Sequence, residues 1–598
     1  MIRIGNAGGY WGDDPSALER QINGDIKLDY ITMDFLAEIT MSIMQKQKDK
    51  DSSLGYARDF LGMLSRVFPT LMKNKTRIIT NAGGINPQDC GLAIRELAES
   101  MGLQPKIAIV YGDDILSDLD ALEKQNIAFK NMETGEDFTS VKSKIKSANI
   151  YFGATAVVEA LKWDPDIIIT GRVTDTCITM APMIHHFNWA DDEWDKLAAG
   201  VVAGHIIECG TQSTGGNFTD WKRVDSFDKV GFPIIEMHKN GDFFVTKHAD
   251  TGGLVCVDTV REQLVYEMGN PNVYITPDVI AKFSTIHLEQ VADNKVKVSG
   301  IKGDEPTPFY KVSMAYEDGF KSIGSIMISG PNAREKAEAF SKIFWKRIEG
   351  NIEEKATEYV GFNSCHRSLV GKDDGNEILL RLGARSQEKS VLQSFGKIIP
   401  ALILSGPPGV AVIGGVPRPA VVMSYWPALM PKEAIKPKIA RLENGKYVDE
   451  RVIENCPTGN FEEKADATIQ TTNKETSNIT SVLEKDSGSL LIDICLARSG
   501  DKGDTANIGV LARSKEAYDF LKETLTAQWV KDHFSELCYG KVIRYEVENL
   551  LGFNFLLEES LGGGGTKTLR IDAQGKTFAQ ALLNQKMEIP ESVLNSLK

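Results

Sequence analysis

Residues 1–9, MIRIGNAGG, and residues 77–84, RIITNAGG, are nearly one phrase written twice. Each is a short, β-branched apolar run that stops at Asn-Ala-Gly-Gly. Three further runs end the same way, in small and polar residues. Residues 30–33 stop at Asp34, residues 106–111 at Gly112-Asp113-Asp114, and residues 167–170 at Gly171-Arg172-Val173-Thr174-Asp175. Continuous apolar runs of this length, alternating with helical segments, read as parallel strands buried on both faces. The segments 34–47, 55–73, 88–101 and 153–163 carry the helical spacing between them. The expected fold is therefore α/β, a doubly wound and mostly parallel sheet. In such a sheet the carboxyl ends of the strands share one edge, where ligands bind. Asn6, Asp34, Asn81, Asp113, Arg172 and Asp175 are expected to meet there.

Composition narrows the partners. The chain of 598 residues has 68 basic and 82 acidic side chains, a net charge of −14. That excludes nucleic acid as a main partner, since phosphate binding needs concentrated Lys and Arg. The eight cysteines are scattered and form no CxxC pair, which fits reduced thiols rather than disulfides or a zinc site. No leader-like start and no membrane-spanning apolar stretch is read, so a cytoplasmic protein with no membrane partner is expected.

Four regions are expected: an α/β lobe over 1–200 carrying the strand-end site, a second α/β lobe over 201–457, a polar linker over 458–487, and an α+β domain over 488–598. The linker reading rests on polarity and few aromatics. The last domain reads as strand, loop, strand, one long helix over 515–536, further strands and a glycine-rich hairpin.

Within the first lobe, the loops with Asn6, Gly8 and Gly9 and with Asn81, Gly83 and Gly84 let backbone amides approach an anion without Cβ obstruction. Arg172 at a strand end suits a substrate carboxylate. The acidic edge has the hard oxygen ligands that Mg2+ takes, or carboxylates for acid–base work, while helix capping accounts for many such Asp residues equally well. Residues 204–217, GHIIECGTQSTGGN, are the densest chemistry in the chain. Read as a strand, they place His205 and Cys209 on one face and Glu208 on the other. Glu208, His205 and Asp175 are candidates for acid–base catalysis. Cys209 is either a nucleophile or a small buried thiol. Thr211, Ser213 and Thr214 offer hydroxyls to an oxyanion. Asp250, next to His248, lies either beside the site or in a hairpin turn. Residues 497–509, ARSGDKGDTANIG, read as a polar loop in which Arg498, Asp501, Lys502 and Asp504 could hold an anion.

Taken together, IGNAGGYWGDDPSA, TNAGGINP, TGRVTDT, AGHIIECGTQSTGGNF and RSGDKGDTANIG resemble the acyclic terpene utilisation (AtuA-like) family. The resemblance covers about 1–450 and, as a ferredoxin-like domain, about 488–598. It implies work beside enzymes that degrade branched, isoprenoid-like acids as coenzyme A thioesters. An acyl-CoA or carboxylate lyase or hydratase is then expected, with coenzyme A part of the substrate and a homo-oligomer as its form. A thioester hydrolase using Cys209 and a non-catalytic assembly subunit are the alternatives.

Overall fold

The computed structural model describes residues 1–362, 364–369, 375–461, 469–472 and 488–597. Most of the expected linker lies outside the described residues. The chain divides into two compact units. One holds Met1–Tyr316, Tyr425–Asp466 and Val547–Gly552, the other Glu317–Ser424, Ala467–Glu546 and Phe553–Lys598.

The first unit is built on an eleven-stranded sheet. Its centre is five parallel strands, in spatial order Ile2–Asn6, Tyr30–Met33, Arg77–Thr80, Ile167–Thr170 and Ile107–Tyr111. These are the five runs read from the sequence. Helices cover both faces. Ile31, Met33, Ile78 and Ile169 pack with Phe60, Leu64 and Phe68 of the helix Asp59–Asn74 on one side. On the other, Thr32 Oγ1 meets Thr179 Oγ1 of the helix Cys177–Phe187 at 3.5 Å. The sheet as a whole is mixed, which corrects the expectation of a mostly parallel one. Ile234–Met237 pairs antiparallel with Ile2–Asn6, and Phe243–Thr246, Lys295–Ser299 and His287–Ala292 follow outward on that edge in this order, each antiparallel to the one before. Lys438–Glu443 pairs antiparallel with Ile107–Tyr111 on the other. Hairpin-linked strands need no crossover helix, so they extend a parallel sheet cheaply at its rims. They also carry this unit past residue 200, where a lobe boundary was expected.

In the second unit, residues 320–329 pair antiparallel with Glu377–Ser386. The helices Ala333–Arg347 and Phe395–Ser405 bury Phe340, Phe344, Phe395 and Leu402 against Ile326, Ile328 and Leu380. A five-stranded sheet follows, in the order Gln470–Thr471, Val542–Val547, Gly552–Leu557, Thr505–Ala512 and Cys495–Lys502. The expected helix over 515–536 is two helices, Lys515–Thr524 and Ala527–His533. Thr526 breaks it by capping the second: its Oγ1 accepts from Trp529 N at 3.1 Å. These parts are joined by Lys567 Nζ to Asp318 (3.0 Å) and Arg381 Nη1 to Leu569 O (2.6 Å).

Among the described residues, no helix is long and apolar enough to cross a membrane.

Candidate active site

The parallel strands end level with one another, so their following residues converge. Asp34 Oδ1 accepts from Asn81 Nδ2 at 2.6 Å and from Leu36 N at 2.9 Å. Asn81 Oδ1 accepts from Phe35 N at 2.7 Å. Asp113 Oδ2 accepts from Arg172 N and Asn149 Nδ2, both at 2.9 Å. Arg172 is buried. Its Nη1 donates to Leu36 O at 2.7 Å, its Nη2 to Asp175 Oδ1 at 2.9 Å, and its guanidinium carbon lies 4.0 Å from the centre of the Tyr151 ring. A planar, delocalised cation is the one that tolerates such a position. The carboxylate it orients, Asp175, is the half-exposed member of this pair.

Burial dominates the acids here. It pushes the Asp34 carboxyl above its ordinary range. The Arg172 charge and hydrogen bonds from Asn81 and Leu36 oppose that push, and the Glu208 charge adds to it. Burial likewise lifts Asp113 to about 7.

The segment read as a strand is a helix, Trp194–Glu208. Residues 197–207 are buried without exception, so no polar face marks the helical period. Its glycines serve close packing: a Cβ on Gly204 would lie 2.7 Å from the Thr176 Cα, and one on Gly200 2.6 Å from the Met180 Cγ. The correction matters chemically. One helical turn puts His205 and Glu208 side by side rather than on opposite faces. His205 Nδ1 lies 3.2 Å from Glu208 Oε1, and its Nε2 lies 3.0 Å from the Gln263 carbonyl. The ring packs edge-on against Tyr274 and Phe283, and the Tyr274 hydroxyl lies 3.5 Å from Nδ1. Burial, and then the charges of Glu208 and Asp175, hold the Tyr274 phenol well above its usual range. Tyr151, Gln263 and Tyr274 went unread in the sequence. Tyr274 sits in a two-residue strand with no local signal.

Cys209 follows the last residue of this helix and is half-buried. The carboxyl end of a helix and a neighbouring Glu208 both disfavour a thiolate. Both weigh against the nucleophile reading of Cys209. In the turn after it, Thr214 Oγ1 donates to Gly231 O at 2.6 Å. Ser213 Oγ is buried and has no hydrogen-bond partner among the described residues. Thr211 accepts through its carbonyl from Gly216 N at 2.8 Å.

The glycine-rich loops are architectural in their contacts. Gly8 N donates to Asn6 Oδ1 at 3.0 Å and Gly9 N to Asp13 Oδ2 at 2.8 Å, so these amides are spent on the protein itself. A Cβ on Gly9 would lie 2.7 Å from the Cys209 carbonyl carbon and the Gly210 nitrogen and 2.8 Å from the Glu208 oxygen. One on Gly83 would lie 2.5 Å from Thr170 O, whereas Gly84 needs its φ of +54°. Because backbone cannot yield as a side chain can, Gly9→Ala is expected to cost about 1–3 kcal/mol and to shift Glu208. Thermal unfolding of the purified variant checks this.

Other acids of the edge cap turns: Asp14 Oδ1 takes Ser16 N at 2.8 Å and Asp114 Oδ1 takes Leu116 N at 3.2 Å. No group of three or more His, Cys, Asp or Glu side chains that could hold a metal is gathered among the described residues. Asp250 is exposed in a turn. Its neighbour His248 braces residues 21–26, with Nε2 3.1 Å from Gln21 O and Nδ1 3.2 Å from Asp25 Oδ1.

Arg498, Asp501, Lys502 and Asp504 lie in the second unit, on a β-hairpin of Cys495–Lys502 with Thr505–Ala512 rather than in a loop. Arg498 is buried, Asp501 pairs with Lys576 at 3.7 Å, and Lys502 is exposed near the turn. Asp504 Oδ1 accepts from Leu561 N at 3.1 Å and Gly563 N at 2.7 Å. That carboxylate fills the glycine-rich turn as an external anion would.

The family model for acyclic terpene utilisation family protein AtuA matches residues 2–441. The model for the AtuA ferredoxin-like domain matches residues 489–588. No curated protein and no solved structure matches the chain.

Proposed function

Since the chain belongs to the AtuA family of acyclic terpene utilisation, we propose that it is an enzyme of branched, isoprenoid-like acyl-CoA or related carboxylate catabolism. Its reaction is a lyase or hydratase step run by acid–base chemistry. The observation that carries the chemistry is the contact of His205 with Glu208 inside a cluster that also feels Asp34, Arg172 and Asp175. Carboxylates in different environments, one buried and raised, one held by an arginine, are what a reaction needs to remove a proton at one atom and deliver it at another. Asp175, oriented by Arg172, takes the proton α to the substrate carbonyl. Glu208 and His205 exchange a proton with the departing or entering hydroxyl. Ser213 Oγ is left to meet the carbonyl oxygen as it gains charge. The family context supports the substrate class, and the site supports the reaction type.

A thermal-shift panel of coenzyme A, branched acyl-CoAs, free branched acids and Mg2+ tests this. A ligand at about 100 times its Kd adds roughly 2.7 kcal/mol of stability. A shift with acyl-CoA or the free acid is expected, and whichever acts becomes the assay substrate. No shift with any of them moves the reading to an assembly subunit.

A further inference from the structure

The hydrogen bonds around His205 count protons. A carbonyl oxygen only accepts, so the 3.0 Å contact with the Gln263 carbonyl requires a proton on Nε2. Gln263 is fixed in this role, since its own Nε2 donates back to His205 O at 3.1 Å and its side chain is fully buried. With Nε2 protonated, neutral His205 has a bare lone pair at Nδ1. An ionised Glu208 also only accepts. Two lone pairs 3.2 Å apart repel, so the observed contact holds one proton between them.

We propose that His205 and Glu208 rest with one proton in excess of neutral imidazole plus carboxylate, and that this proton makes the pair the general acid of the site. It is the same inventory whether written as imidazolium with carboxylate or as imidazole with carboxylic acid. The helix end favours the first form, because the carboxyl-terminal dipole attracts a cation. Glu208 is the outlet. As a whole its side chain is the less buried of the two, 12% exposed against 1% for His205, so the proton leaves from the Glu208 carboxyl group to the substrate oxygen whose bond to carbon breaks. The spent pair is then neutral Nε2–H imidazole beside a carboxylate. Tyr274 relieves that state. Its hydroxyl is 3.5 Å from Nδ1 and donates to the lone pair uncovered there. As a phenol held above its usual range, it stays a donor throughout. Solvent restores the proton through Glu208, the less buried member of the pair. Gln263 and Tyr274 are thus positioning residues: one fixes the tautomer, the other stabilises the discharged state. The role as acid rests on the function proposed above; the proton count does not.

The test needs no substrate. Full-length protein with 15N-labelled histidine is examined by NMR at neutral pH, alongside infrared difference spectra of wild type against Glu208→Gln. The His205 signals among the eight histidines are identified by their loss in His205→Gln, or by their displacement in Tyr274→Phe if the first variant does not fold. An Nε2-protonated ring that is imidazolium supports the proposal. So does a neutral Nε2–H ring accompanied by a protonated-carboxyl band that Glu208→Gln removes. A neutral ring protonated at Nδ1, or a neutral ring with no such band, overturns it. Either negative result leaves the catalytic reading to be decided by turnover.

Discussion

Glu208→Gln is expected to lower turnover on the substrate selected by the thermal-shift panel by about 10²- to 10⁴-fold, the range a positioned proton donor contributes. Glutamine keeps the shape of the side chain, and its amide can donate to His205 Nδ1, where Glu208 Oε1 now lies at 3.2 Å. The helix Trp194–Glu208 and its packing through Gly200 and Gly204 are untouched. The loss should therefore fall on kcat, with an unfolding midpoint close to wild type. Cys209→Ser is the companion. If acid–base chemistry at Glu208 drives the reaction, Cys209→Ser keeps most of the rate, because the carboxyl end of the helix and the neighbouring Glu208 both disfavour a thiolate. Full rate in Glu208→Gln, or an inactive but folded Cys209→Ser, would transfer the chemistry to the thiol.

Against the opposing pull of His533, whose imidazole burial lowers to about 4, Asp113 is expected to take stability away as pH rises from about 4 to about 7. Burial lifts its carboxyl from an ordinary 3.8 to about 7, so the folded protein holds a proton that the unfolded chain has released. A group raised in this way contributes fully below the unfolded value and loses its contribution as pH climbs through the folded one. For Asp113 the loss is of the order of 4 kcal/mol between those limits. Asp278, lifted by burial to about 6 and partly offset by Lys432, adds to it with the same sign. Asp113→Asn removes a titrating group while keeping an oxygen for Arg172 N and Asn149 Nδ2, which now meet Asp113 at 2.9 Å. Urea unfolding of both proteins across this range measures the two slopes. Relative to wild type, the variant should gain stability as pH rises across this range. An unchanged slope would mean that Asp113 ionises in the folded state as freely as in water.

What the chain states locally was legible. The five parallel strands are buried on both faces, so each is written as an unbroken apolar run, and the residues that end them, Asp34, Asn81, Asp113 and Arg172, lie beside one another as a level sheet edge requires. The motifs also placed the chain in its family. The helix Trp194–Glu208 was misread because burial all round erases the amphipathic period. The hairpin around Gly503 was misread because its strands carry charges in a buried setting, Arg498 among them. Only tertiary structure decided that Gln263 and Tyr274 meet His205 from 58 and 69 residues away. It also decided that the amides of Gly8 and Gly9 serve the protein itself. Such contacts have no local cost or propensity that a sequence could display. They arise when distant backbones pack closely enough for one side chain's proton to become another's concern.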